Sequence, residues 1–156
     1  MNTSASALFS AIRDNKLMEA KALIEANQDL LKARDERGTS PLILASYSGL
    51  LPMTKLLVEA GADINASGTT GTALMGVCFK GHADIARYLI NAGADLEASL
   101  PNGSTALHFA AMFNQAEIVE LLVAAGADAG AKDVDGLAAA DHAKKRGFME
   151  LAERLG

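Results

Sequence analysis

The sequence predicts an all-α solenoid of about five helix–turn–helix units joined by short β-hairpin-like fingers. Three observations carry that expectation. The tripeptide Gly-Ala-Asp recurs at Gly61-Ala62-Asp63, Gly93-Ala94-Asp95 and Gly126-Ala127-Asp128, a step of 32 to 33 residues. A hydroxyl residue opens an apolar helical pattern at Ser40, Thr72 and Thr105. A turn residue recurs inside each unit at Gly49, Gly81, Asn114 and Gly147. A fixed period of about 20–50 residues signals stacked repeats. No such unit buries its apolar face alone, so each must cover its neighbour.

The elements follow in order. Residues 1–5 read as a short mobile start, and the first unit spans roughly 5–34. Leu8, Ala11 and Ile12 have helical spacing, the turn Asp14-Asn15-Lys16 follows, and Leu17, Ala20, Leu23 and Ile24 form the second helical face. Asn27-Gln28-Asp29 replaces the tripeptide exit. In the second unit, about 35–66, Gly38 supplies a tight turn, Ser40 reads as a helix N-cap and Pro41 as the first helical residue. Pro52 opens the next helix, with Leu56, Leu57 and Ala60 expected to face the core. In the third unit, about 67–99, the connection Ser67-Gly68-Thr69-Thr70-Gly71 is short of large side chains and is expected to be flexible. Gly76 lies inside its first helix, where Gly costs ~1 kcal/mol relative to Ala, which predicts the softest repeat. The fourth unit, about 100–132, replaces the turn glycine by Asn114, the type that best tolerates positive φ after Gly. The fifth, 133–156, carries Ala138-Ala139-Ala140-Asp141 at the helix opening and ends on Leu151 and Leu155.

Thr105-Ala106-Leu107-His108-Phe109-Ala110 resembles the T-P-L-H-x-A signature of the ankyrin repeat, whose period is about 33 residues. Ser40-Pro41-Leu42-Ile43-Leu44-Ala45 and Thr72-Ala73-Leu74-Met75 are weaker copies, and Gly61 to Ala66 carries Gly-Ala-Asp-x-Asn-Ala. The resemblance covers nearly the whole chain and implies a single ankyrin-repeat domain over 1–156. The first and last units resemble its N- and C-terminal caps. It implies one elongated, curved stack, with fingers near 34–38, 66–71, 99–104 and 132–137. It also implies that His108 hydrogen-bonds near the fingers together with Thr105.

Composition narrows the function classes. Half of the 156 residues are hydrophobic, Trp is absent, and the formal net charge is −5. An acidic chain argues against a general nucleic-acid surface. No apolar run approaches the ~18 residues of a membrane span. The single cysteine, Cys78, has no partner for an intramolecular disulfide. Together with an N-terminus lacking a signal-like pattern, this makes a cytoplasmic chain the expectation.

No motif for a reaction emerges. The histidines are His82, His108 and His142. His82 follows a turn glycine and reads as a cap residue. His142 reads as a solvated surface residue. Cys78 lies among Leu74, Val77 and Phe79 and reads as a small buried hydrophobe. The Gly-Ala-Asp turns follow helices and lack the Lys-Ser/Thr of a phosphate loop. No catalytic, cofactor or metal residue is assigned. An enzyme using Cys78 or His108, or a structural or self-associating unit, stands as the alternative.

The resemblance implies partner binding through the fingers and the concave face of the first helices. The residues before each inter-helix turn would lie on that face. Tyr47, Phe79, Lys80, Met112, Phe113, Lys145 and Arg146 are the candidates, with Arg37, Thr69 and Asn102 from the fingers. Aromatic and Met side chains flanked by charge have the composition of an interaction hot spot. Lys144-Lys145-Arg146 suits a helix C-terminus and could attract an acidic partner segment. The expected function is a non-catalytic protein-interaction module, monomeric and free of cofactor. It would bind a protein or peptide as an inhibitor or an adaptor, and would bind neither nucleic acid nor membrane.

Overall fold

A computed structural model describes residues 2–156. The chain divides into two compact units, residues 1–76 and 77–156. Apart from one two-stranded ribbon, the regular structure described is helical, and none of those helices is long and apolar enough to cross a membrane.

The first unit opens with α1 (Thr3–Arg13), packed against α2 (Leu17–Ala26). The helix begins earlier than the expected mobile start. Asn2 Oδ1 accepts from Ala5 N–H at 2.7 Å, satisfying an orphan donor of the first turn. Leu8, Phe9, Ala11 and Ile12 are buried. Asn15 takes φ +54 in the turn between the helices. A 3-10 helix, Gln28–Lys32, follows where the tripeptide exit is missing, and it buries Leu30 and Leu31. Next come α3 (Pro41–Tyr47) and α4 (Leu51–Glu59). Ser40 Oγ accepts from Ile43 N–H at 3.1 Å, and Pro41 and Pro52 occupy first-turn positions where a missing N–H is harmless. In α4, Leu57 is buried as expected; Leu56 and Ala60 are half-buried, and Met53 and Thr54 complete the core face. Thr54 is tolerated there because its hydroxyl donates to Leu50 O at 2.8 Å. The connection expected to be flexible forms the ribbon β1 (Ser67–Gly68) and β2 (Gly71–Thr72), antiparallel with Ser67 opposite Thr72.

Helix α5 (Ala73–Lys80) begins in the first unit and ends in the second. The second unit continues with α6 (Ala83–Asn91), α7 (Ala106–Met112), α8 (Ala116–Ala124), α9 (Ala139–Lys145) and α10 (Met149–Leu155). Its packing partners are α6 with α8, α7 with α8 and α9, and α9 with α10. The first helix of a pair buries mostly small side chains: Ala106, Ala110 and Ala111 on α7, and Ala139 and Ala143 on α9. The second buries branched ones: Ile85 and Leu89 on α6, and Ile118, Val119 and Leu122 on α8. Small against large is how close-packed layers interdigitate. Asn114 takes φ +55, like Asn15, where Gly49, Gly81 and Gly147 serve in the other turns. In α9, Ala138 cannot cap through its side chain. Asp141 Oδ2 accepts from Ala138 N–H at 2.9 Å and supplies the reciprocal half of a capping box.

Candidate functional site

The fingers are built by aspartates. Asp35 Oδ1 accepts from Arg37 and Thr39 N–H, both at 2.9 Å, and Asp133 Oδ1 accepts from Asp135 and Leu137 N–H, both at 3.0 Å. The exits use the same Asx turn: Asp63, Asp95 and Asp128 accept from the N–H two residues on, at 2.9 to 3.0 Å. Gly-Ala-Asp is therefore a self-capping turn. Fingers then bond to the next finger in the same unit. In the first unit Thr69 Oγ1 donates to Arg37 O at 2.6 Å; in the second, Val134 N–H donates to Asn102 O at 2.9 Å. Beyond the ribbon, the fingers at 35–39, 100–104 and 133–137 are turns each closed by two main-chain bonds instead of paired strands. All three finger candidates, Arg37, Thr69 and Asn102, are exposed. The Thr69 hydroxyl is engaged, and Asn102 Oδ1 accepts from Ser104 N–H at 3.0 Å.

The first-helix ends carry the other candidates. In the first unit Tyr47 is 40% exposed. Gly76 has a packing reason that helix propensity hides: a Cβ there would lie 3.3 Å from Tyr47 Cδ2. In the second unit Phe79 is 41% exposed at the end of α5. Its ring meets Phe113 edge-to-face, centroids 4.7 Å apart, a favoured aromatic geometry. The Arg146 guanidinium lies 5.3 Å from the Phe113 ring centroid, within cation–π range. Met112 and Phe113 are half-buried, and Lys80, Lys145 and Arg146 are exposed. Three neighbouring helix ends thus present one contiguous row of Phe79, Phe113 and Arg146, with Lys80, Met112 and Lys145 alongside. Tyr47 lies in the other unit.

Chemistry-bearing side chains are drawn into the framework. His108 Nδ1 accepts from Thr105 N–H at 3.1 Å and from the Thr105 hydroxyl at 2.8 Å. Its proton therefore sits on Nε2, which donates to Leu137 O at 3.0 Å. His142 departs from the expected surface position. It is half-buried, and its Nε2 lies 2.6 Å from Asp133 Oδ2 because α9 packs against the finger that Asp133 closes. His82 occupies the N-cap position of α6, yet its side chain makes no cap hydrogen bond. The bond to His142, with the Leu137 and Asp135 N–H groups, holds the Asp133 pKa below the ordinary carboxylate value. At Asp35, burial pushes upward, but the Thr39 and Arg37 N–H groups and the Arg13 guanidinium outweigh it, leaving the pKa lowered.

His108, Asp133 and His142 offer potential metal-ligand atoms within 4.8 Å of one another. Both His108 nitrogens and both Asp133 oxygens are already engaged in the bonds above, so the trio links the finger to α7 and α9. A metal ion would have to displace that framework. Cys78 is fully buried, and burial pushes its thiol pKa up, away from the reactive thiolate.

A family model described as ankyrin repeats (3 copies) matches residues 1–68 and 66–133. The chain belongs to the ankyrin-repeat family. The probable E3 ubiquitin-protein ligase XBOS32 of Oryza sativa subsp. japonica is 37% identical over 126 residues, covering 79% of this chain and 25% of that protein. The ankyrin repeat and SAM domain-containing protein 6 of Rattus norvegicus is 32% identical over 119 residues, covering 74% of this chain and 13% of that protein. The ARF GTPase-activating protein GIT1 of Homo sapiens is 51% identical over 53 residues, 34% of this chain and 7% of that protein. The chain spans about a quarter of the length of the Oryza sativa and Arabidopsis thaliana ubiquitin ligases it matches. Ankyrin repeats are protein-interaction modules.

Two features of this ankyrin-repeat chain were missed in the sequence reading. One is the Asp133–His142 pair, for which the echo of Asp35-Glu36-Arg37-Gly38 in Asp133-Val134-Asp135-Gly136 was an available signal. The other is a shallow groove of about 240 Å³ lined by Val119, Val123, Ala124 and Leu155, bridged where Arg154 reaches Glu120 at 2.8 Å. No sequence motif marks it.

Proposed function

We propose that this ankyrin-repeat domain is a non-catalytic recognition module, an inhibitor or adaptor that binds a protein or peptide through its first-helix ends and fingers. The observation that carries this reading is the exposure of aromatic rings in otherwise satisfied surroundings. Tyr47 and Phe79 remain 40% and 41% exposed, whereas the preceding residues Ser46 and Cys78 are fully buried. Large rings left in water at fixed helix ends supply contact area at low entropic cost when a partner covers them. The groups that chemistry would need are held in the framework, so we assign recognition to this chain and no bond-making step. The Oryza sativa and Arabidopsis thaliana relatives named as ubiquitin ligases share only a quarter of their length with it, which suits a segment that selects what a larger assembly acts upon.

The test is affinity capture from the native host's lysate, comparing wild type with a Phe79→Glu, Phe113→Glu double variant. Both are first checked for folding by circular dichroism. A protein retained by wild type and lost by the variant supports the reading. Equal retention moves the site to the fingers or another face. Capture of nothing, together with a mass that rises with concentration in sedimentation, favours a self-associating unit.

A further inference from the structure

We infer that the face formed in the second unit by the ends of α5, α7 and α9 takes an acidic peptide segment bearing bulky aliphatic side chains. This deepens the recognition reading and rests on it. The segments 77–82, 109–115 and 142–148 converge on this face. They contain Lys80, Lys144, Lys145 and Arg146 and no Asp or Glu. The bias runs against a chain whose formal net charge is −5. The matching segment of the first unit shows no such bias, since Arg13 is followed by Asp14.

Cations at the end of α9 also suit the helix dipole, and that alone would explain their presence. It does not explain where Arg146 goes. Its guanidinium lies over the Phe113 ring of the neighbouring helix, 5.3 Å from the centroid, and Phe113 in turn meets Phe79. The charge is thereby fixed beside an exposed apolar surface instead of at its own helix end. Among the described residues, no carboxylate lies within ion-pair distance of Lys144, Lys145 or Arg146. The positive charge of Lys144, Lys145 and Arg146 beside an apolar row complements a segment in which carboxylates alternate with aliphatic side chains. A nucleic acid is the poorer fit. The Phe113 ring is already taken by Arg146 and Phe79, so adjacent open rings for base stacking are missing, and a chain of net negative charge repels a long polyanion.

The probe is a fluorescein-labelled peptide of about twelve residues, Glu-rich with spaced Leu, read by anisotropy. Companions replace Leu by Ser, or Glu by Lys, or the peptide by an oligothymidylate of equal charge. The acidic Leu peptide is expected to bind wild type. Binding should weaken about tenfold or more between about 50 and about 300 mM salt, and by a similar factor in Lys145→Glu, Arg146→Glu. The Ser and Lys companions should bind at least about tenfold more weakly. The salt and companion measurements use wild type alone, so a misfolded variant leaves the test intact. No binding of the acidic Leu peptide, or binding indifferent to salt and to both companions, overturns the inference. Tighter binding of oligothymidylate overturns it in favour of nucleic acid. If capture of a partner depends on Phe79 and Phe113 while the acidic peptide does not bind, the recognition reading stands and only the partner class falls. If capture ignores those rings, the site lies on the fingers or another face and this inference falls with it.

Discussion

Gly103 offers the sharpest test of how the fingers are held in register. It lies at φ +83, and a Cβ built there would sit 2.8 Å from Asp133 Cα, 3.2 Å from Val134 N and 3.3 Å from Asp133 C. All three atoms are backbone, and the same two fingers are tied by the Val134 N–H to Asn102 O bond of 2.9 Å. Gly103→Ala therefore meets two separate costs. Positive φ costs about 1–2 kcal/mol for a residue with a Cβ. Relieving the contact forces the fingers apart and strains that hydrogen bond, adding about 1–3 kcal/mol. Gly136 is the matched control. It occupies the equivalent position of the next finger at φ +76, with nothing within 4 Å of its built Cβ. Gly136→Ala meets only the first cost.

The assay is unfolding followed by far-UV circular dichroism. For a chain of this length about 1 kcal/mol corresponds to about 2–4 °C in Tm. Gly103→Ala should lose about 4–20 °C and Gly136→Ala about 2–8 °C. The ordering of the two is the result that matters, because both share the backbone term. Equal losses would show that the fingers do not approach each other as closely as argued, and the finger-to-finger register would fail with them.

His108→Ala should destabilise by about 1–3 kcal/mol in denaturant titration, because it strands the buried Thr105 N–H and removes the partner of the half-buried Leu137 carbonyl. An effect under about 0.5 kcal/mol, the scale of an ordinary surface change, would count against the buried network. Because the folded-state pKa of Asp133 is lowered, its contribution is complete above the ordinary carboxylate pKa of about 3.9 and is lost as pH falls through the lowered value. Asp133→Asn should therefore lower Tm at neutral pH and flatten the fall in Tm below about pH 4, leaving the part due to Asp35; an unchanged acid profile would contradict this. Cys78 should resist alkylation in the native protein at mildly alkaline pH and react readily in guanidinium. Rapid native labelling would reopen the nucleophile reading.

What the sequence made legible was whatever repeats. Ser40 and Asn114 announce their roles because a cap and a positive-φ turn restrict residue choice to a few types. Gly76 carries a reason that the sequence does not display. Propensity saw a weak helix position, whereas the missing Cβ makes room for the Tyr47 ring, a tertiary fact with no local trace. His142 was misplaced on the same ground. Its partner Asp133 lies 9 residues away across a turn, outside any helical spacing rule. Phe9 is fully buried although it lies outside the face that Leu8, Ala11 and Ile12 complete. The 3-10 turn that buries Leu30 and Leu31 departs from the period, so the repeat pattern could not foresee it.

The same division separates the framework from the surface that acts. Thr105, His108, Asp133, Thr69 and Asn102 carry polar groups that a reaction or a ligand could use, and each is engaged within its own turn or by a neighbouring finger or helix. Those residues recur or pair because the stack needs them. Phe79, Lys145 and Arg146 hold the register of a helix end without the identity the repeat prescribes, and they stand exposed. A helix end can be built from almost any residue, so stacking did not choose two aromatic rings and a cation in contact across neighbouring helices. Their placement follows if contact with a partner chose them. That is why the partner's chemistry is sought in the positions that break the pattern, and why reversing Lys145 and Arg146 should weaken binding while leaving the fold intact.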